Sequence, residues 1–166
     1  LWHTLSLHDA LPIFLVVVGP RASETARIAD VHLAIRPGTD ALFLKSMISI
    51  ILDMGLYHKD YMDLCADGFD EIRPWFAGFD AKAALKVCEL DYQQVCEVCR
   101  ALAKRRSSIL DDLGILMNRH SALVSYLIVM LLALCGRIGV PGGNYLQGGG
   151  RGPGPRDPRA WKTEKT

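Results

Sequence analysis

In the first third of the chain, two short apolar runs alternate with two segments that have the pattern of helices. Residues 15–18 form a β-branched run followed by Gly-Pro, which is typical of a fully buried strand in a parallel sheet. Residues 23–30 begin with a serine that can cap a helix, and residues 31–35 predict a second short strand. Apolar residues at helical spacing over 42–52 predict a helix that ends near Gly55. This order of elements predicts an α/β fold with a partial parallel sheet.

The rest of the chain is dominated by helical patterns. Short amphipathic segments predict helices over 59–65, 69–76, 81–87 and 92–104. Residues 107–110 are interpreted as a third strand that leads into Gly114. Residues 122–135 predict the most apolar helix, which a run of Gly and Pro from Gly136 onward ends.

Size and charge exclude several classes of protein. A chain of 166 residues with 50% hydrophobic residues has the composition of a globular domain. A net charge of +1 gives no excess positive field for nucleic acid, so we expect no nucleic-acid partner. The apolar run 122–135 is shorter than the roughly 20 residues that cross a bilayer, so we expect no membrane span. Five cysteines, without framework-like spacing, indicate reduced thiols.

The two ends of the chain differ from the middle. Residues 4–13 resemble the translation of a sequencing-library adapter, so residues 1–14 are interpreted as a non-native segment and left out of the functional reasoning. Residues 15–136 are interpreted as a partial α/β domain with helices, and residues 137–166 as a truncated Gly/Pro-rich loop. We therefore expect a fragment of a larger multidomain subunit. No export signal is visible in this sequence, and the compartment stays open.

Two strand-to-helix junctions carry the candidate chemistry. Ligands gather at the carboxyl edge of a parallel sheet, where helix N-termini offer unpaired N–H groups. At the first junction, Gly19 permits close backbone approach and Arg21 can pair with a phosphate, although an ordinary solvated arginine fits the spacing as well. At the second, Asp40 is expected at the helix N-cap, either as a plain cap or as an acceptor for the Watson-Crick edge of guanine. Neither junction has the glycine pattern of a usual dinucleotide fold or P-loop.

Cysteine and histidine offer weaker candidates. Cys96 and Cys99 form a C-x-x-C motif with Cys88 eight positions upstream, which raises a structural metal or redox site as an alternative. Surrounding valine and leucine residues favour small core thiols instead. His120 is interpreted as a loop or cap residue, and no histidine pairs with a nucleophile to form a catalytic triad.

Two stretches of sequence carry a resemblance to a known family. Read in order, GPRASETARIADVHLAIRPGTDALFLKSMISIILDMGLY and LLALCGRIGVPGGN resemble the molybdopterin oxidoreductases, the large subunits of the formate dehydrogenase, nitrate reductase and dimethyl sulfoxide reductase type. The resemblance spans about residues 15–144. It implies a Rossmann-like domain that binds one of two molybdopterin guanine dinucleotides carrying molybdenum or tungsten.

The resemblance also implies site residues and partners. Arg21 and Thr25 match the first nucleotide-contacting turn of the family, and Gly38, Thr39 and Asp40 match the segment near the guanosine. Gly114 matches a glycine that follows a strand close to the cofactor. The implied partners are the remainder of the same large subunit, a small-molecule substrate and an iron–sulfur electron-transfer subunit.

Departures from the family pattern affect the expected activity. Gly19 replaces a usual acidic residue, and Met117 replaces a glutamine that reaches the pterin. The cysteines that bind a 4Fe-4S cluster, and the catalytic metal ligand, lie upstream in the family, so no catalytic residue is assigned and the fragment itself is expected to be inactive. The alternatives are a noncatalytic helical binding module with a metal held by Cys88, Cys96 and Cys99, and the central domain of a thiamine-diphosphate enzyme.

Overall fold

The computed structural model describes residues 13–117 and 119–145. Strands β1 (Val16–Val18) and β2 (Val31–Leu33) form a parallel sheet in which Val17 lies opposite His32. Helix α1 (Glu24–Ile28) connects the two strands. Parallel strands need such a crossover, and the predicted order of strand, helix and strand is confirmed. The described residues therefore form a mixed, largely helical α/β fold with a small parallel sheet.

Most of the remaining helices match the sequence patterns, but the short helix at residues 113–116 is not predicted. They are α2 (Asp40–Asp53), α3 (Lys59–Cys65), α4 (Phe69–Ile72) with a 3₁₀ turn (Arg73–Trp75), α5 (Ala81–Val87), α6 (Tyr92–Lys104), α7 (Leu113–Leu116) and α8 (Ser121–Leu134). Asp80 and Asp91 cap α5 and α6 by accepting hydrogen bonds from the backbone N–H groups of Ala83 and Gln94. Because aspartate satisfies helix donors that otherwise lack partners, the sequence predicts both starts.

Helix α2 lies at the centre of the hydrophobic core. It packs against α5, α6 and α8, and its Ile48 and Ile51 are completely buried. Leu85 of α5, Val95 of α6 and Leu134 of α8 are buried to the same degree. Full burial of one such side chain stabilises a fold by about 1.5–3 kcal/mol. The helices around α2 therefore contain most of the completely buried side chains.

The sheet is less enclosed than the sequence predicts. The run of valines in β1 predicts a fully buried strand, but Val16 and Val17 are only half-buried and Val18 is 44% exposed. Within the described residues the sheet consists of β1 and β2 alone, so β1 has no neighbour on its second edge. A strand of a parallel sheet becomes fully buried only when further strands and helices cover it.

The predicted third strand over 107–110 is wrong. This segment has no regular secondary structure, and its Ile109 lies against the loop that follows α8. The Asn144 side chain accepts a hydrogen bond from Ile109 N–H (2.9 Å) and donates to the Ile109 carbonyl (2.6 Å). One side chain thus takes the two backbone groups that a neighbouring strand would bond, so no ladder forms.

The loop after α8 is tightly built. Asn144 N–H donates to the Arg137 carbonyl (2.7 Å), and Gly139 N–H donates to the Asn144 carbonyl (2.8 Å). A Cβ atom added at Gly143 would lie 2.2 Å from the Arg137 carbonyl oxygen, so only glycine fits there. The Tyr61 hydroxyl of α3 donates to the Ile138 carbonyl (2.8 Å) and ties the loop to the helical core.

Some predictions fall outside these residues. The adapter-like segment 4–13, except Ile13, and the part of the Gly/Pro-rich segment beyond Tyr145 lie outside the described residues. Over 13–117 and 119–145, none of the helices combines the length and apolar character that a membrane crossing demands.

Candidate functional site

The two candidate junctions lie at the same edge of the sheet. Because β1 and β2 are parallel, their carboxyl ends point the same way, and the turns that follow them are neighbours. Gly19 N–H donates to the Leu33 carbonyl (3.0 Å) and joins the end of β1 to the end of β2. His32 Nε2 lies 2.9 Å from the Gly19 carbonyl oxygen and adds a second bond between the two turns.

Arg21 and Thr25 line one cavity. The cavity has a volume of about 550 Å³ and is formed by Arg21 and the five other residues Ala22, Ser23, Glu24, Thr25 and Arg27. Arg21 is exposed, so its guanidinium is accessible to an anion, and Arg27 adds a second cation. The Ser23 hydroxyl caps α1 by accepting from Ala26 N–H (3.2 Å), which fixes the turn between Arg21 and the helix. The first junction is therefore accessible and carries positive charge.

Gly38, Thr39 and Asp40 form the second turn, with one change from the expected arrangement. Thr39, not Asp40, is the N-cap of α2, and Asp40 is the first helical residue. The Thr39 hydroxyl donates to the Arg36 carbonyl (2.7 Å) and does not cap the helix. Gly38 has a φ of +80°, a left-handed conformation that glycine adopts without strain. Asp40 therefore lies half-buried in the first turn of a long helix, where the helix dipole favours its negative charge.

The electrostatic surroundings of Asp40 include a buried thiol. Burial raises the pKa of Cys88, and the nearby Asp40 charge raises it further. The Cys88 thiol lies 3.8 Å from the Thr39 carbonyl oxygen, and Arg36 N–H donates to the Cys88 carbonyl (3.0 Å). The end of α5 thus holds the turn before α2 in place.

The structure groups the candidate residues unequally. Arg21 and Thr25 share a cavity, whereas Gly38, Thr39 and Asp40 follow the end of β2 by five to seven residues and do not line it. Asp40 lines neither that cavity nor the cavity that Asp63 and Glu71 line.

Gly114 does not occupy the expected position after a strand. It lies inside α7, which packs against α8, and the segment before it does not pair in the sheet, since Ile109 bonds to the Asn144 side chain. Met117 follows α7 directly and is 83% exposed.

The cysteines do not form a metal site in the part of the chain that the structure describes. Cys88, Cys96, Cys99 and Cys135 are buried free thiols, and Cys65 is exposed. Among the described residues, no group of three His, Cys, Asp or Glu side chains is arranged to hold a metal ion. Burial raises the pKa of Cys135 to about 11 and also raises the pKa of Cys99, which neighbouring thiols raise further. Thiols of this kind are inert, which agrees with core packing.

A second cavity lies away from the sheet edge. Its volume is about 320 Å³, and its lining includes the four carboxylates of Asp63, Asp67, Asp70 and Glu71. None of the cofactor-binding residues predicted from the sequence lines this cavity. Excess negative charge there does not suit a phosphate.

Sequence reasoning missed two residues that organise these regions. His32 bonds to the turn after β1, and Asn144 bonds to Ile109. A histidine inside a short apolar strand is a signal that could have identified the first. The sequence contains no local signal for the second, because Asn144 and Ile109 are 35 positions apart.

Curated relatives match most of the chain. The assimilatory nitrate reductase catalytic subunit of Bacillus subtilis (strain 168) is 26% identical over 147 residues, which cover 87% of this chain and 21% of the relative. A trimethylamine-N-oxide reductase of Salmonella typhi is 30% identical over 120 residues, covering 69% and 14%. Formate dehydrogenase H of Escherichia coli (strain K12) is 27% identical over 128 residues, covering 76% and 18%. The chain therefore spans about a fifth or less of each of these relatives.

A solved structure shares the fold. Acetylene hydratase from Pelobacter acetylenicus superposes with a TM-score of 0.69 at 24% identity, covering 73% of this chain and 17% of that one. No family model matches the sequence. The arrangement of small sheet and surrounding helices thus occurs as part of a larger enzyme.

Proposed function

We propose, from the premise that this chain is homologous to a partial segment of the molybdopterin oxidoreductases, that it helps to bind the nucleotide end of a molybdopterin guanine dinucleotide. The whole protein would be an oxidoreductase that contains molybdenum or tungsten. The observation that carries this proposal is the parallel pairing of β1 and β2, which puts their carboxyl ends side by side. The end of β1 leads into Arg21 and its open cavity, and the end of β2 leads into the turn that precedes Asp40.

The residues at these turns suit a guanine nucleotide chemically. Arg21 and Arg27 are accessible cations that can pair with phosphate oxygens. Thr25 adds a hydroxyl that can donate to the same oxygens. The Asp40 carboxylate offers two acceptors, which match the two parallel N–H donors on the Watson-Crick edge of guanine. Gly38 borders open space, since nothing lies within 4 Å of a Cβ added there, and it is its left-handed φ of +80° that favours glycine.

When bound, the metal held by the pterin dithiolenes would supply the redox chemistry, while this segment supplies binding and orientation. The protein groups described here hold the far end of the cofactor and do not act on substrate. The finer assignments, a Rossmann-like sheet, a pair of guanine dinucleotides and a 4Fe-4S cluster with ligands outside this segment, are part of the same proposal. By this reasoning the chain alone has no turnover.

The remainder of the same large subunit is the partner that this proposal requires. Helix α8 is apolar on every side, yet Leu123, Tyr126 and Val129 form an exposed stripe along it, and Tyr126 is 52% exposed. Helix α7 packs against α8 and adds the exposed side chains of Leu113 and Met117. Such a surface requires a protein cover in a stable enzyme. The matched segments are 21% and 14% of the first two relatives, so most of the length of each relative lies outside the match and can supply this cover.

A nucleotide titration tests the proposal on the chain itself. Guanosine diphosphate and adenosine diphosphate are titrated into ¹⁵N-labelled protein, and amide shifts are followed. We expect guanosine diphosphate to bind at least about tenfold more tightly, since a charged hydrogen bond contributes roughly 1.5–3 kcal/mol. Asp40→Asn should remove this preference, because the amide puts a donor where the guanine edge also donates. Arg21→Met should weaken both nucleotides.

Asp111→Asn is the matched control, because Asp111 is exposed and distant in sequence from both turns. Equal affinity of the wild-type chain for the two nucleotides would remove the role of Asp40. Amide shifts confined to the acidic cavity, which contains Asp63 and Glu71, would remove the site altogether.

A further inference from the structure

The end of the parallel ladder has an unusual donor. In a parallel sheet, each bonded residue makes two bonds to the opposite strand. Its N–H donates to the residue before the one it faces, and its carbonyl accepts from the residue after it. The register of β1 and β2 puts Gly19 opposite Ala34. Gly19 N–H donates to the Leu33 carbonyl (3.0 Å). By that pattern the next bond would run from Ile35 N–H to the Gly19 carbonyl.

Strand β2 turns away before that bond forms. Ile35 N–H donates instead to the Leu33 carbonyl (2.9 Å), a three-residue turn that is common at strand ends. The turn brings the chain toward Arg36 and the start of α2, and it withdraws the ladder donor from Gly19. The Gly19 carbonyl then has His32 Nε2 at 2.9 Å. The imidazole thus stands where the backbone N–H of Ile35 would have been.

The bond fixes the state of the ring. A carbonyl oxygen only accepts, so Nε2 must carry the hydrogen and donate it. The next residue, Pro20, has no N–H, which leaves the Gly19 carbonyl as the group that can anchor this turn to β2 beyond the ladder. Arg21 follows directly, and its own carbonyl accepts from Ser23 N–H (2.8 Å) at the start of α1.

We infer that His32 is a positioning residue: its imidazole replaces the last ladder bond of the sheet and thereby holds the turn that presents Arg21 to the anion. For its ligand the inference rests on the proposed nucleotide function, and for its geometry it stands on the hydrogen bonds alone. His32 touches no ligand in this role and acts through the Gly19 carbonyl. The device lets β2 leave the sheet early toward Asp40 while the first turn keeps its place.

Two variants of the full chain separate a donor from a merely space-filling ring. Gln places its amide nitrogen the same number of bonds from Cβ as His places Nε2, so His32→Gln keeps the donor. His32→Leu keeps apolar bulk and removes the donor. We expect His32→Leu to weaken guanosine diphosphate binding by roughly tenfold and His32→Gln to restore most of it. His120→Leu, at the exposed start of α8, is the control.

The ring itself provides a readout that does not depend on any nucleotide. In wild-type protein we expect the ¹⁵N shifts of His32 to show a protonated Nε2 and a bare Nδ1 in the neutral ring. We also expect the amide signal of Arg21 to move in His32→Leu and to stay near its wild-type position in His32→Gln. These measurements decide the inference even if His32→Leu fails to fold, since the wild-type ring and the Gln variant remain.

The outcomes distinguish the two proposals. A wild-type chain that ignores guanosine diphosphate but shows the Nε2–H ring and the Arg21 shift overturns the nucleotide function and keeps the geometric role of His32. A ring protonated at Nδ1 overturns that role. Unchanged affinity in both variants, or an equal loss in both, also overturns it, because the rescue by a donor is its specific consequence.

Discussion

The helices around α2 and the sheet of β1 and β2 are enclosed to very different degrees. Ile48 of α2 and Leu134 of α8 are completely buried by elements of this chain, whereas Val18 at the end of β1 is 44% exposed. Both regions have strongly apolar sequences, so composition does not separate them. The difference is the number of neighbouring elements that the described residues supply. The helical region encloses a core of its own, whereas among the described residues β1 lacks a neighbour on one edge.

The largest expected effect tests this contrast directly. Ile48→Ala should lower the free energy of unfolding by about 2–5 kcal/mol, because the lost side chain leaves a cavity among helices that cannot collapse freely. Val18→Ala should lower it by less than about 1 kcal/mol, since much of that side chain is already in water. Urea denaturation of both variants measures the difference. Equal losses would mean that the sheet is as enclosed as the core.

The loop after α8 should contribute to stability in the same way as the helical region to which it is bonded. Gly143→Ala forces a Cβ to within 2.2 Å of the Arg137 carbonyl oxygen, so the loop must move, at a cost of about 2 kcal/mol. Gly114→Ala is the control, because nothing lies within 4 Å of a Cβ there. Thermal unfolding should place Gly143→Ala well below wild type and Gly114→Ala near it. If both variants unfold at the wild-type temperature, the loop does not contribute to the stability of the core.

Alkaline pH should weaken the helical core through its thiols. Burial raises the pKa of Cys135 from the ordinary value of 9.0 to about 11. Below about pH 9 both folded and unfolded chains hold this proton, and the stabilisation is complete. As pH rises toward 11, the unfolded chain releases the proton first and stability falls, by about 2 kcal/mol for this thiol.

The matching measurement compares unfolding at pH 8 and pH 11 in two alanine variants. Cys135→Ala should show a smaller loss than wild type, and so should Cys99→Ala, because burial also raises the pKa of the Cys99 thiol. Parallel losses in wild type and Cys135→Ala would show that the thiol is not desolvated.

The smallest effect on stability concerns the open side of the helical region. Replacing Leu123 and Tyr126 of α8 together by serine should change the free energy of unfolding by less than about 0.5 kcal/mol per site, since both side chains are about half exposed. The same change should reduce self-association in sedimentation velocity, because it removes apolar surface. Leu127→Ser, on the buried side of α8, should unfold the chain instead. Strong destabilisation by the exposed pair would mean that the stripe already has a cover.

The sequence predicts elements best where local chemistry decides them. The bounds of α5 and α6 follow from Asp80 and Asp91, whose carboxylates bond to the backbone a few residues later. The strand predicted over 107–110 failed because Asn144, far along the chain, takes the backbone groups of Ile109. Helix α7 was missed for a related reason, since four residues carry too little periodicity to predict a helix.

The candidate site divides in the same way. The turns after β1 and β2, with Arg21 and Asp40, are visible in sequence because a Gly or Pro follows each apolar run. The N-cap lies at Thr39, one residue before the position expected from the sequence. Residue types alone do not define the first residue of a helix that closely. The His32 bond depends on β2 leaving the ladder at Ile35, and no pattern of residue types encodes that event.

The contact between Asn144 and Ile109 has a consequence for how this chain meets other chains. An extended segment with free backbone groups is a template on which a foreign strand can add, and natural proteins protect such edges. The carboxamide of Asn144 bonds to both the N–H and the carbonyl of Ile109, so neither backbone group is left for a foreign strand. Asn144→Asp would keep the acceptor but turn the donor into a repelling oxygen, and would open this edge to cross-chain pairing and aggregation.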